Sequence, residues 1–232
     1  MNFQSGCLIC GKELEYDINH SERSCDFCGR KFESNVKCPD GHFICDECHS
    51  EDAFQVIYHI CLETDIKDPL LLANTIMHHP AVKMHGPEHH FLVPAVLVTV
   101  YYPLIEDNRS LKELMDEAMK RARAVPGGFC GTHGNCGACV GAGLAMSILM
   151  KSHSLSVKSW SAINRLTGEC LIDVSELGGP RCCKRDTFIV LQRATAAINR
   201  YLDCDIIVPD QIKCQFSEFN NQCLKKACPY YL

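Results

Sequence analysis

Residues 7–48, CLICGKELEYDINHSERSCDFCGRKFESNVKCPDGHFICDEC, decide how this chain can begin to fold. They carry four successive pairs of metal-ligating side chains: Cys7-x2-Cys10, Cys25-x2-Cys28, Cys38-x3-His42 and Cys45-x2-Cys48. A CxxC pair closes a tight knuckle that turns both sulfurs toward one ion. Gly11 and Gly29, which follow the first two pairs, let the backbone turn back through positive φ. Zinc takes four such ligands in a tetrahedron, so the set fits two ions with no ligand left over. The stretches between the pairs are short and polar and build no core, so metal would supply the folding energy. Residues 1–50 are therefore expected to form a module around two structural zinc ions, although a four-cysteine set also accepts iron.

Two pairings satisfy the spacing. A crossed one joins Cys7, Cys10, Cys38 and His42 at one ion and Cys25, Cys28, Cys45 and Cys48 at the other. A sequential one joins the first two pairs and the last two. The segment CPDGHFICDEC (38–48) resembles the middle of cross-braced, RING-like and FYVE-like fingers. We therefore expect a small treble-clef or cross-brace finger with the crossed pairing. The likeness covers little beyond the ligands and assigns no activity. His20 and His49 fall outside the series and are expected to be non-ligands.

Outward from the finger, the 232-residue chain holds 18 cysteines at a net charge of -5. The cysteines gather in three groups, 7–48, 130–183 and 204–228. Local grouping with CxxC spacing points to metal in a reducing compartment rather than to a disulfide scaffold. The start lacks the charged end and long apolar core of a secretory signal. The longest apolar run, 91–105, is short for a membrane span and holds Pro94 and Pro103. We expect a soluble, cytoplasmic protein that does not enter the membrane. Basic residues dominate no long segment, so composition gives no electrostatic case for nucleic acid.

Residues 51–232 are expected to form a mainly α-helical, cysteine-rich metal-binding domain. Phe54, Ile57, Tyr58 and Cys61 recur at helical spacing over 51–63. Pro69 suits the first turn of a helix reaching Met77. The run 91–102 reads as a buried helix or strand, with its prolines arguing for a helix start at Pro94. Ser110 and Glu113 form a capping-box pattern before a stripe of Leu111, Leu114, Met115, Ala118, Met119 and Ala122, ended by Gly127 and Gly128. Further helical segments are expected over 139–150 and 186–201. No convincing strand series is legible.

Two loops carry chemistry. The first, GGFCGTHGNCGACVGAG (127–143), sets Cys130, Cys136 and Cys139 among glycines, which let several backbone N–H groups approach a cluster sulfide or an anion. It has no lysine of a phosphate-binding loop. The second, ELGGPRCCKRD (176–186), holds Cys182 and Cys183 beside Arg181, Lys184 and Arg185. Adjacent side chains diverge, so one is expected as a fourth cluster ligand and the other at a neighbouring site, as a thiol nucleophile or in the core. The cations either lower a cysteine pKa, receive an acidic substrate or form a solvated surface. In the tail, Cys204, Cys214, Cys223 and Cys228 form either a second metal centre, for which Cys214, Cys223 and Cys228 are the ligands expected, or a thiol-rich tail.

The segment MHGPEHHF (84–91) offers His85, Glu88, His89 and His90 beside a Gly-Pro turn. Histidine moves protons near neutral pH and a carboxylate can orient it. The rival is a loop of packed histidines. We take His85, Glu88 and His90 as candidate catalytic residues, with Arg181.

Together with CPDGHFICDECH (38–49), GGPRCCKR (178–185) and CLKKACPYYL (223–232), these segments resemble an uncharacterised cysteine-rich domain family of methanogens and anaerobic bacteria, a domain of unknown function sometimes joined to methyltransferase domains. The likeness extends over nearly the entire chain and implies anaerobic iron–sulfur chemistry without naming a reaction. The resulting expectation is an oxygen-sensitive iron–sulfur enzyme carrying a 4Fe-4S cluster, a lyase, desulfidase or sulfur-transfer enzyme with a small acidic or sulfur-containing substrate. The competing expectation is a non-catalytic iron–sulfur and zinc accessory protein that delivers metal, transfers electrons or docks a partner enzyme or redox protein.

Overall fold

The structure is a computed structural model that describes residues 6, 7, 9, 10, 12–26, 29–209 and 212–231. Cys28 and Gly11 lie outside the described residues. The first described elements are strands, β1 (Glu15–Ser24) and β2 (Lys31–Lys37), which pair antiparallel from Glu15 opposite Lys37 to Ser24 opposite Lys31. This hairpin lies within the finger, and after it the described residues hold no strand, in keeping with the absence of a strand series expected over 51–232. The hairpin escapes a hydrophobic-pattern reading because β1 is almost wholly exposed. Backbone pairing and cross-strand charges hold it instead, with Lys37 Nζ 3.0 Å from Asp17 and Lys31 Nζ 2.8 Å from Glu22.

Helix α1 (Asp46–Glu63) starts on the last finger cysteines and runs without a break through residues 50 and 51 into the helical part. Its buried face is Phe54, Ile57, Tyr58 and Cys61, the stripe expected from the sequence. Helix α2 (Pro69–Met77) opens on Pro69 as expected, and the Asp68 carboxylate accepts from Leu70 N at 2.8 Å and Leu71 N at 3.2 Å.

Helix α3 (Glu88–Tyr101) is the axis of the domain, and every one of its residues is buried. Helices α1, α2, α4 (Leu111–Arg123), α6 (Gly137–Leu149) and α8 (Cys183–Leu202) pack around it. That resolves the ambiguous run 91–102 as helix, but the start lies at Glu88 and Pro94 sits inside. Proline removes the N–H that would bond the His90 carbonyl. Gly141 of α6 covers the spot: a side chain there would meet Pro94 Cδ at 2.9 Å and the His90 carbonyl oxygen at 3.1 Å. The lack of a Cβ thus lets α6 lie close against the proline turn.

The capping box at Ser110 is present, with Ser110 N donating to Glu113 Oε2 at 2.7 Å. Helix α4 ends at Arg123, before Gly127. The short α5 (Phe129–His133) and the long α7 (Lys158–Leu177) were not legible in the sequence. Helix α8 begins three residues earlier than expected, at Cys183, so that Cys182 is its N-cap. Asp203, at φ 54°, ends α8 in a left-handed turn. From there to residue 231 the described chain is irregular apart from short turns at Ser217–Phe219 and Lys225–Ala227. Phe216 and Tyr230 anchor it. The Tyr230 hydroxyl donates to Gln192 Oε1 at 2.7 Å. Among the described residues, no helix is long and apolar enough to cross a membrane.

Candidate metal centres and the groups between them

Two sets of finger residues converge. Cys7, Cys10, Cys38 and His42 bring their ligand atoms within 4.8 Å of one another. Cys10 Sγ lies 3.4 Å from Cys38 Sγ, and His42 Nδ1 lies 3.7 Å from Cys7 Sγ and 3.6 Å from Cys38 Sγ. The edge of a tetrahedron with bonds of about 2.3 Å is about 3.8 Å, so this set fits one ion. Cys25, Cys45 and Cys48 converge in the same way, with Cys28 outside the described residues. The grouping is the crossed one. It arises locally because Gly41, at φ 87°, turns the chain between Cys38 and His42, and the Asp40 N–H reaches Cys38 Sγ at 3.4 Å. The second set forms as α1 starts, with Cys45 as its N-cap and the Cys45 N–H donating to Cys25 Sγ at 3.3 Å.

The glycine loop and the Cys182–Cys183 loop meet at Arg181. Its guanidinium interacts with the thiols of Cys130 and Cys183, and Nη2 donates to the Tyr16 hydroxyl of β1 at 3.0 Å. One cation therefore joins the finger to both cysteine loops. Cys136 is the N-cap of α6 and Cys139 stands in its first turn, wholly buried. The hydrogen bond from Cys139 holds the Cys136 thiol below its ordinary pKa, and the same contact, with burial, pushes Cys139 far up. Buried Cys170 of α7 acts electrostatically on Cys139. Among the described residues, Cys130, Cys136, Cys139, Cys182 and Cys183 do not close into a set tight enough for a single ion.

Adjacent Cys182 and Cys183 do diverge. Cys183 acts on Arg181 and feels Cys136. Cys182 instead lines a cavity with Cys214, Cys223 and Cys228, so the three tail cysteines expected as metal ligands share one space. Cys204 is not among the residues that line it.

The histidine segment is packed, not solvated. His90 Nδ1 lies 3.1 Å from the Val125 carbonyl, which fixes the proton on Nδ1. The other face of the ring lies against Gly137, where any Cβ would collide with it. His85 Nε2 bonds Asn220 Oδ1 at 3.3 Å, and Asn220 Nδ2 donates to Cys182 Sγ at 3.4 Å. Burial, with the Arg181 and Lys184 charges, pushes His85 down to about 4, and burial also lowers His90. Both imidazoles are neutral at pH 7. Glu88 is fully buried and turned back on its own turn, where it accepts from Lys83 N at 3.0 Å and folds against Gly86. Burial pushes its carboxyl up. It positions the segment that carries His85, and the acid-orienting role expected for it has no histidine partner beyond His89, 3.7 Å away.

Among the described residues, several buried polar atoms have no hydrogen-bond partner: His49 Nδ1, His85 Nδ1, Glu88 Oε2, His89 Nε2 and Arg185 Nη1. Buried polar atoms are nearly always paired with protein or ordered water, so each of these calls for a partner that the protein groups do not supply. Arg181 acts on both His49 and His85. Sequence reasoning set His49 aside because it lies outside the ligand pairs, and it missed Asn220, Tyr16 and Cys170. Of these only Cys170 carried a signal, since it falls within the 130–183 cysteine group.

A model of a family of unknown function (DUF5714) matches residues 57–231. The match starts within α1, takes in every later element and leaves the finger out, so the likeness expected over nearly the entire chain narrows to this part. No curated protein and no solved structure matches the chain.

Proposed function

The chain belongs to this family of unknown function, DUF5714, and from its own residues we propose that it is an oxygen-sensitive iron–sulfur enzyme tied to a structural two-zinc finger. The finger is read as a cross-braced treble clef, since its strands lie between the ligand pairs and α1 is capped by Cys45 and carries Cys48. Zinc suits it because the ligands are thiolates and one imidazole at tetrahedral separations.

The observation that carries the enzyme reading is the meeting of both cysteine loops at Arg181 beside unpartnered histidine nitrogens. Cys130, Cys136 and Cys139 would hold three irons of a 4Fe-4S cluster, whose ligand sulfurs stand wider apart than those around one ion, with Cys183 beside the site and not closing the fourth. When bound, such a cluster with one iron open to substrate would supply Lewis-acid chemistry. The chain's own residues supply the rest. Arg181 offsets the thiolate charge and offers a fork for an acidic or sulfur-containing substrate. The neutral His85 ring keeps its Nδ1 lone pair unbonded and can accept a proton there, while Asn220 holds Nε2–H. His90, fixed by the Val125 carbonyl, closes the side of the α6 N-terminus against water. An anion clamp, a buried neutral base and a Lewis acid would together suit a lyase, desulfidase or sulfur-transfer reaction. An anaerobic setting, which the resemblance implies, is the condition such a centre needs. A non-catalytic accessory protein would hold the same metals, but it gives no use to the buried His85 Nδ1, for which the described residues supply no hydrogen-bond partner.

The test is metal and acid-labile sulfide content after strictly anaerobic purification. The expected result is about two zinc together with iron and sulfide, of which a Cys136→Ser/Cys139→Ser variant loses about four of each while keeping its zinc. Pure, folded protein free of iron and sulfide overturns the proposal.

A further inference from the structure

Cys182, Cys214, Cys223 and Cys228 come from the N-cap of α8 and from three points on the tail, and all four line one cavity. The tail that carries three of them is a long described stretch with almost no regular structure and few buried anchors. Such a segment rarely holds one conformation without a cross-link or a metal. The sulfurs are also dressed in a particular way. Phe216 N donates to Cys214 Sγ at 3.4 Å and Lys225 N donates to Cys223 Sγ at 3.3 Å. Both are N–H groups two residues beyond the cysteine, the same contact that Asp40 N makes to Cys38 Sγ in the finger at 3.4 Å. Asn220 Nδ2 supplies a third donor, to Cys182 Sγ at 3.4 Å. Donors aimed at sulfur are what a metal-bound thiolate uses, because it carries the charge that a free thiol lacks.

Two further observations bear on the occupant. Arg185 lines the cavity, is almost fully buried, and its Nη1 has no hydrogen-bond partner, although Nε bonds Asp186 at 3.0 Å and Nη2 bonds the Gly178 carbonyl at 3.0 Å. The four sulfurs do not close to single-ion separation, whereas the finger ligands in the same structure do. A wider ring of thiolates fits a polynuclear core.

We infer that Cys182, Cys214, Cys223 and Cys228 hold an iron–sulfur cluster of their own, separate from the glycine loop, with the buried Arg185 Nη1 as a further donor to it. Consecutive cysteines then face two centres: Cys182 holds the tail cluster and Cys183 stands beside the glycine-loop site. The inference stands on the tail geometry and does not need the enzyme reading.

The experiment is anaerobic reconstitution of the full chain with iron and sulfide, followed by iron, sulfide and zinc analysis. A Cys214→Ser/Cys223→Ser variant is expected to lose about four iron and four sulfide relative to wild type and to keep its zinc. Cys204→Ser, outside the cavity, is expected to keep everything. The Cys136→Ser/Cys139→Ser variant should retain the tail's share, which separates failure of one centre from failure of the other. Because a tail variant can also fail to fold, native alkylation of reconstituted wild type provides a second reading. Cys182, Cys214, Cys223 and Cys228 should be shielded together and become labelled together once the cluster is stripped. Unchanged iron and sulfide in the folded tail variant, loss of a zinc in place of iron, or labelling of these four before stripping overturns the inference.

Discussion

At the scale of single residues, the closest packing near the glycine-loop site is between Gly137 and His90. The first residue of α6 has no room for a Cβ because the His90 ring occupies that volume. The ring cannot swing away freely, since its Nδ1–H is bound to the Val125 carbonyl and the side chain is buried. A Gly137→Ala substitution therefore forces either the ring or the helix start to move. It is expected to cost about 1–3 kcal/mol, the range of overpacked cores, and to loosen the Cys136–Cys139 pair. Urea denaturation under anaerobic conditions measures the first effect, and iron retained per chain measures the second. Adding His90→Ala should recover much of the loss, because the colliding ring is gone. If Gly137→Ala matches wild type in both measurements, the two groups are not in the contact described. Nothing in the sequence shows this pairing. The histidine and the glycine are 47 positions apart, and only the packing of α3 against α6 brings them together.

At the scale of elements, the sequence was legible where local chemistry dictates the backbone. Ser110 and Glu113 announce the start of α4, and both halves of the capping box form. Replacing Ser110 with Ala should cost about 1 kcal/mol. The site is exposed, so the midpoint of urea unfolding should fall with little change in slope. An unchanged midpoint would mean that solvent satisfies the α4 N-terminus as well as the serine does. The finger ligands were legible for the same reason, since CxxC spacing and a glycine turn are local signals. The crossed pairing also matched among the described residues, but it rested on the likeness of CPDGHFICDEC to cross-braced fingers, since the order of the pairs allows the sequential one as well. The hairpin was not legible: EYDINHSERS buries almost nothing, so no alternating pattern marks it. Helix α7 was missed because few of its residues, such as Ala162, Leu166 and Cys170, are fully buried, too sparse a stripe to register. The start of α3 was misplaced because a helix buried on every side has no polar face to mark its phase, and Pro94 looked like a beginning. The membership of the cysteine groups divides along the same line. That Cys182 and Cys183 diverge follows from their adjacency. That Cys182 joins Cys214, Cys223 and Cys228 depends on where the tail returns to α8.

At the scale of the molecule, the finger and the helical part are coupled at a few points. Helix α1 is continuous across them. Around it, Asp46 accepts from Gly127 N at 2.7 Å, Arg123 bonds Glu51 at 2.8 Å, Lys83 Nζ bonds the His49 carbonyl at 2.6 Å, and Arg181 bonds Tyr16 at 3.0 Å. Two of these links end on the loops that hold Cys130 and Cys183, so the finger props the mouth of the glycine-loop site. The finger itself has little apolar burial beyond its cysteines, and without metal its knuckles have nothing to close on. From Ala53 onward, by contrast, α1 is anchored in the main core. Removing zinc with a zinc-selective chelator under anaerobic conditions should therefore act in two stages. Protease should first cut within residues 12–45, leaving a resistant fragment that begins near the start of α1 and keeps most of the helical circular dichroism. In the same interval Cys130 should alkylate faster, because Arg181 has lost Tyr16 and Gly127 its hold on Asp46. Time-resolved proteolysis with mass spectrometry reads both. Digestion of the whole chain at one rate would show instead that the metal sites and the helical core unfold as one unit. An unchanged Cys130 rate, with the finger already cut, would show that the finger carries no influence on the site beside it.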